Sequence, residues 1–363
     1  MNNNNKRLQL LDISRFVAAL MVVCFHYTFN GILNGKIASV SELPAISSVT
    51  KYGYLGVELF FMISGYVILI SARKGRPLAF ARSRAVRLYP AYWSAVIITF
   101  CFSLFLGGKM MSVDIKTFIV NLTMLQSFVG FGHVDGVYWT LVYEIKFYAI
   151  VFLALFFSKV LPIDRLIVGW AMIIDILSYS GLPTPSVFGG YYSYFVAGAL
   201  LSIHASSKSY RSLLLVALSI YPCIKHTLSM ASDTSSLTGV PLNAAVICSM
   251  ILIYFCLFLL QSHAKIRSIN IPLSYRVGAL TYPIYLLHAH IGYMVLSRYA
   301  SNETHGFFVC VMIVSIIATA YAINRIVEER MRPLWFGLFN SLLTKPIEFI
   351  ESTLSSVHRI FAK

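Results

Sequence analysis

The chain has 363 residues, of which 58% are hydrophobic and only 12% charged, and its mean hydropathy is +0.75. Soluble domains carry roughly 25% charged residues, so this composition excludes an ordinary soluble enzyme and points to an integral membrane protein. A formal net charge of +15 would suit a nucleic-acid binder, but the basic residues are scattered over short connections between apolar runs. That distribution fits membrane orientation and argues against nucleic acid as a partner.

The apolar runs are long and unbroken, which favours an all-α helical bundle over a β-barrel, whose strands would alternate polar and apolar residues. Ten runs are long enough to cross a bilayer, at roughly 9–30, 53–72, 89–107, 137–158, 162–181, 187–205, 211–226, 241–262, 277–298 and 306–327. The first begins like a signal peptide, basic and then apolar. Asp12 and Arg15 interrupt its core and no small-residue cleavage site follows, so it reads as a retained helix. The seventh is the weakest, being short and containing Pro222. Residues 1–332 therefore read as one membrane domain. Residues 333–363 alternate apolar and charged positions and end basic, as an interfacial helix on the inner leaflet would.

With the N-terminus inside, the connections on that side hold 21 of the 29 Lys and Arg and those outside hold 6, with Arg15 and Lys146 within spans. The positive-inside rule then places both termini in the cytoplasm. The six cysteines lie in or near apolar runs with no CxxC or Cys/His pattern, so neither a disulfide framework nor a metal site is expected.

Charged groups at membrane depth are costly and mark function. In LLDISRFVAALMVVCFHY, Arg15 and His26 are eleven residues apart, which returns to nearly the same helix face about 16 Å along the axis. Asp12 lies one turn before Arg15, within reach of an ion pair. Each alone could be an interfacial anchor or a satisfied core histidine. Three on one stripe favour a site, with His26 suited to proton transfer. In GYLGVELFFMISGYVI, Glu58 stands near the outer start of the second run, as an interfacial residue or as a group that binds an acceptor or orients His26. Ser64 and Gly65 there allow close helix approach. In RKGRPLAFARSRAVRLYPAYW, Arg84 and Arg87 share a helical face with Arg82 close by. Part of this cluster is an inside signal, but guanidinium forks also match phosphate. In VYWTLVYEIKFY, Glu144 can face the bundle interior, while Lys146 lies about 200° away and can snorkel. In LTYPIYLLHAH, His288 and His290 diverge too far to share a metal, so packing or hydrogen bonding suits them, with a lining role for His288 as the sharper alternative.

These five stretches, in this order, resemble the acyltransferase 3 family of membrane acyltransferases, over about residues 8 to 330. The resemblance implies a multi-pass protein of a bacterial inner membrane. It implies transfer of an acyl group, usually acetyl, from cytoplasmic acyl-CoA to a hydroxyl of an extracytoplasmic carbohydrate such as O-antigen or exopolysaccharide. Acyl-CoA is then a co-substrate, and no bound cofactor is implied. Arg15 and His26 correspond to the family's essential basic residue and histidine, and Arg84 and Arg87 to its paired arginines. Glu58 stands where the family often has Asp. On this reading His26 is the general base, Arg15 holds the donor or steadies charge, Arg82, Arg84 and Arg87 bind the donor, and Glu58, Glu144 and Asp12 bind or orient the acceptor. A polytopic transporter or flippase is the alternative that the same buried charges allow.

Overall fold

The computed structural model describes residues 8–158, 160–267 and 269–361. Lys6, Arg7, Lys159 and Lys363, counted above as inside charges, lie outside the described residues. Every regular element among the described residues is helical. The principal helices are α1 (Gln9–Phe25, continued by a π turn to Asn30), α2 (Gly56–Ala72), α3 (Pro77–Leu106), α4 (Trp139–Phe156), α5 (Ile163–Ser180), α6 (Tyr192–Ser207), α7 (Tyr210–Thr238), α8 (Ala244–Ser262), α9 (Ser274–Tyr299), α10 (His305–Ala322) and α11 (Arg332–Phe361).

Local chemistry sets the ends. Pro77 opens α3 at a position that needs no backbone donor. Asn243 caps α8 by accepting the Ala245 N–H at 2.8 Å. Gly181 and Gly239 close α5 and α7 in the left-handed conformation. The seventh run was expected to stop by residue 226, but α7 continues to Thr238 after a break at Ser219. Pro222 falls in the first turn beyond that break, where a missing N–H costs nothing.

Seven of these helices are long and apolar enough to cross a membrane: α1, α2, α3, α4, α7, α8 and α10, several with short extensions. The other three expected runs, α5, α6 and α9, are also helical. Of these, α6 is only 16 residues long and buried from Tyr192 to Ser202, and α9 is buried almost continuously from Leu280 to Met294. Helices enclosed by other helices need no lipid-compatible surface, so their sequences are free to carry polar groups.

Two close approaches build the frame. Gly65 of α2 and Gly198 of α6 sit backbone to backbone: a Cβ on Gly65 would strike the Phe195 carbonyl, and one on Gly198 the Met62 carbonyl. On the other side α9 packs on α1, α3 and α10, and Gly278 lets it close on α1 at Asp12, whose Cβ would stand 2.8 Å from an added methyl group. The tail forms a single helix, α11, with Pro346 inside it. Its first turns lie on α3, where Phe339 stacks on Trp93 at 6.0 Å.

Gly198→Val should therefore lower thermal stability in detergent by about 1–3 kcal/mol or more, because a carbonyl oxygen cannot yield as a side chain can. Gly306→Ala, whose new methyl group meets open space, should leave the melting temperature unchanged.

Candidate functional site

A chamber of about 560 Å³ lies among α1, α2, α3, α4 and α9, toward the end of the bundle that holds Arg84, Arg87 and Arg332. Asp12 and Arg15 of α1, Arg84 and Arg87 of α3, Glu144 and Tyr148 of α4, and Tyr282 and Tyr285 of α9 form its wall. Asn324, Glu328, Glu329 and Arg332 complete it.

The charges on this wall are unequally paired. Arg87 is bonded to Glu328 at 3.0 Å, and Glu328 also accepts from Asn324 at 2.9 Å. Glu329 is held by Arg325. Glu144 accepts from the Tyr148 hydroxyl and from Ser64 at 3.3 Å. Arg15 makes no hydrogen bond or ion pair with a described residue, and Arg84 donates to Ser83 at 3.0 Å and lies against the Phe80 and Tyr148 rings, 6.0 Å from each centroid, its buried Nε being without a partner. Two guanidinium groups thus face the chamber with donors to spare. Guanidinium is well matched to phosphate or carboxylate oxygens.

Three of the expected site residues fall elsewhere. Arg82 lies two positions before Arg84 and so on another face of α3. Its guanidinium sits 4.1 Å over the Phe336 ring and donates to Asn340 at 2.5 Å, so it ties α3 to α11 and does not line the chamber. Glu58 is buried among Tyr54, Tyr191, Tyr194 and Tyr254, with one carboxylate oxygen unpartnered. The side chains that contact the His26 ring nitrogen are Tyr293 and Asn30. His26 itself also lies beyond the chamber wall. Asp12 and Glu144, expected on the acceptor side, share the chamber with the arginines. Lys146 is exposed and turned toward the Phe128 ring, 5.4 Å away, well separated from Glu144 as the helical spacing requires.

His26 starts the π turn that runs to Asn30; such turns recur at functional sites. Among the described residues its polar contacts are at Nδ1, which meets the Tyr293 hydroxyl and lies 3.2 Å from Asn30 Nδ2, and Asn30 Nδ2 donates to the Tyr293 hydroxyl at 3.0 Å. The His288 ring stands 4.9 Å from the His26 ring, centroid to centroid, and 5.5 Å from the ring of Tyr285 on the chamber wall. Tyr285 is fixed in turn by Thr140, hydroxyl to hydroxyl at 2.9 Å. A row of side chains, Tyr285, His288 and His26, therefore leads from the chamber toward the opposite end.

Beyond His26 lies a second polar cluster. His290 donates from Nδ1 to the Val134 carbonyl at 3.0 Å, and its Nε2 accepts from the Gly136 N–H at 3.2 Å and from Lys36 at 3.0 Å. Asp135 is wholly buried and accepts the N–H groups of Val137 at 3.1 Å and His290 at 2.9 Å. Burial pushes the Lys36 ammonium below its ordinary pKa, against the opposing pull of Asp135.

Tyr293, Asn30, Lys36, Asp135 and Glu328 were not singled out from the sequence. Asn30 had a usable signal, a polar residue four positions after His26 in an apolar run. Asp135 had another, as a capping residue before a helix. Tyr293 is one of 22 tyrosines and carries no local mark.

Asp135→Ala should leave two buried N–H groups unpaired, at about 1–3 kcal/mol each. Thermal unfolding in detergent should show a clear fall, with a smaller one for Asp135→Asn.

A family model described as an acyltransferase domain matches residues 8–324, from the start of α1 to just past α10. No curated protein and no solved structure matches the chain.

Proposed function

Because the chain belongs to the acyltransferase 3 family and is a membrane acyltransferase, we propose that it moves an acyl group, acetyl in the first instance, from cytoplasmic acyl-CoA to a hydroxyl of an extracytoplasmic carbohydrate. O-antigen and exopolysaccharide are the acceptor types this reading names. The basic end of the bundle is then cytoplasmic by the positive-inside rule, and the membrane is a bacterial inner membrane.

One observation carries this reading. The chamber presents Arg15 and Arg84 with unused donors, and from it a row of polar rings leads to His26. Acyl-CoA joins a phosphate-bearing head to a long, slim arm that ends in a thioester. The head is matched by Arg84 and Arg87, the latter exchanging Glu328 for phosphate oxygens. Arg15, deeper on α1, meets the inner part of the donor. Its distance from His26 along α1, about 16 Å, assigns it to donor binding and leaves charge at the reacting carbonyl to groups near His26.

In the reaction, the acceptor oxygen attacks the thioester carbonyl while His26 takes the hydroxyl proton. The C–O bond forms, the C–S bond breaks and the CoA sulfur leaves. In this reading His26 donates its Nδ1–H to the Tyr293 hydroxyl, which also accepts from Asn30, so the Nε2 lone pair of the neutral ring is left for the substrate's proton. Metal chemistry has no part in this reading.

His26→Ala should reduce incorporation of labelled acetyl into membrane glycan by roughly 100-fold to 10,000-fold, with no change in membrane insertion or acetyl-CoA affinity. Arg84→Ala should weaken acetyl-CoA binding about 10-fold to 100-fold, the worth of a charged hydrogen bond. Unchanged affinity in the arginine variant would remove the phosphate assignment.

A further inference from the structure

His288 and His290 stand two residues apart on α9, and both are buried, but their nitrogens are used differently. Both nitrogens of His290 have partners: Nδ1 donates to a carbonyl, and Nε2 accepts from a backbone N–H and from Lys36. That histidine is a structural brace. His288 is fully buried, and its Nδ1 lies 2.8 Å from the Tyr285 carbonyl oxygen. A carbonyl only accepts, so Nδ1 carries the hydrogen and in the neutral ring Nε2 holds a bare lone pair. That Nε2 has no partner. Buried acceptors are satisfied in the great majority of cases, and an orphan beside a proposed general base calls for a donor supplied during turnover.

The position identifies that donor. His288 lies between His26, 4.9 Å away by ring centroids, and Tyr285, 5.5 Å away on the chamber wall. The other titratable groups around it are Tyr27, whose hydroxyl donates to the His288 carbonyl at 2.7 Å, and His290 and Asp135, both engaged as described. None of these offers Nε2 a hydrogen. Resting on the assignment of His26 as base, we infer that His288 carries the acceptor's proton from His26 to the departing CoA sulfur.

The accounting is complete without another reagent. The hydroxyl proton passes to His26 as the C–O bond forms, then from His26 to Nε2 of His288. As the C–S bond breaks, the thiolate retreats toward the chamber and takes that proton from Nε2, so that CoA leaves as the thiol and both imidazoles return to neutral. The proton arrives and departs at the same atom because Nδ1 is tied to Tyr285. His26 faces the side from which the alcohol comes and the sulfur leaves on the other, so a group between them spares His26 from reaching both. His288 acts through His26 and is a relay, not the group that activates the acceptor.

The test uses the full-length protein in membranes with labelled acetyl-CoA and the host's own glycan. His288→Asn keeps an amide donor for the Tyr285 carbonyl and deletes the Nε2 position. Turnover should fall at least 100-fold, with acetyl-CoA affinity and melting temperature unchanged. In His288→Ala, added imidazole should restore turnover and pyrazole, of the same size but a far weaker base, should not. His288→Asn turning over within threefold of wild type would overturn the relay, as would pyrazole rescuing as well as imidazole, or affinity falling in step with turnover. If His288→Asn lowers the melting temperature, His288→Gln is judged by the same measures, and loss of folding in both assigns His288 to structure and ends the proposal. His26→Ala remaining active would instead fail the base assignment itself, and acetyl-CoA failing to bind wild type would fail the donor assignment.

Discussion

The structure depends on housing a guanidinium inside the membrane. Arg15 is fixed in the first half of α1, one of the helices apolar enough to cross a bilayer, where a charged side chain facing lipid is costly. Lipid cannot receive it. The bundle answers with a protein-walled chamber in which Asp12, Glu144 and Glu328 supply negative charge without consuming the Arg15 donors. The chamber in turn dictates the rest. Gly278 must be a glycine for α9 to close beside Asp12, α3 must present Arg84 and Arg87 on one face, and α9 must be polar along its buried length.

A second consequence is the division of the site into two parts. The arginine and the histidine of α1 share a stripe but not a room: Arg15 opens on the chamber, whereas His26 stands past Tyr285 and His288 in a separate network with Tyr293 and Asn30. Such a separation suits a reaction whose two substrates arrive from opposite sides of a membrane. Glu58 itself lines neither part: it is buried among tyrosines behind the chamber wall, with one carboxylate oxygen unpartnered.

Much of this was legible in the sequence, and the divisions are instructive. Hydropathy located ten runs that all became helices, α1 to α10, though only seven of them are long and apolar enough to cross a membrane and α3 begins at Pro77, twelve residues before its expected start. Helical periodicity correctly put Arg84 with Arg87 and set Glu144 apart from Lys146, because each of these pairs lies on a single regular helix. The same periodicity failed for Arg82, where a neighbour in sequence proved to be on another face with α11 waiting for it. Glu58 was placed only by its depth in the second run, and the tyrosines that enclose it come partly from distant segments, Tyr194 of α6 and Tyr254 of α8. Tyr293 and Lys36 were invisible for the same reason: their importance comes from packing α9 and the connection after α1 around His26, and no spacing within one segment records that. Pro222, which marked the seventh run as the weakest, was misleading because its meaning depends on whether a break precedes it.

The most direct test of the whole account is sidedness. Sealed vesicles of known orientation, carrying the protein and the host glycan, would be given labelled acetyl-CoA, which does not cross membranes, on one face only. The account predicts that label reaches glycan on the opposite face when acetyl-CoA is supplied at the basic end of the bundle, and that none is transferred when it is supplied at the other. Transfer to glycan on the same face as the donor, or equal transfer from either face, would contradict it.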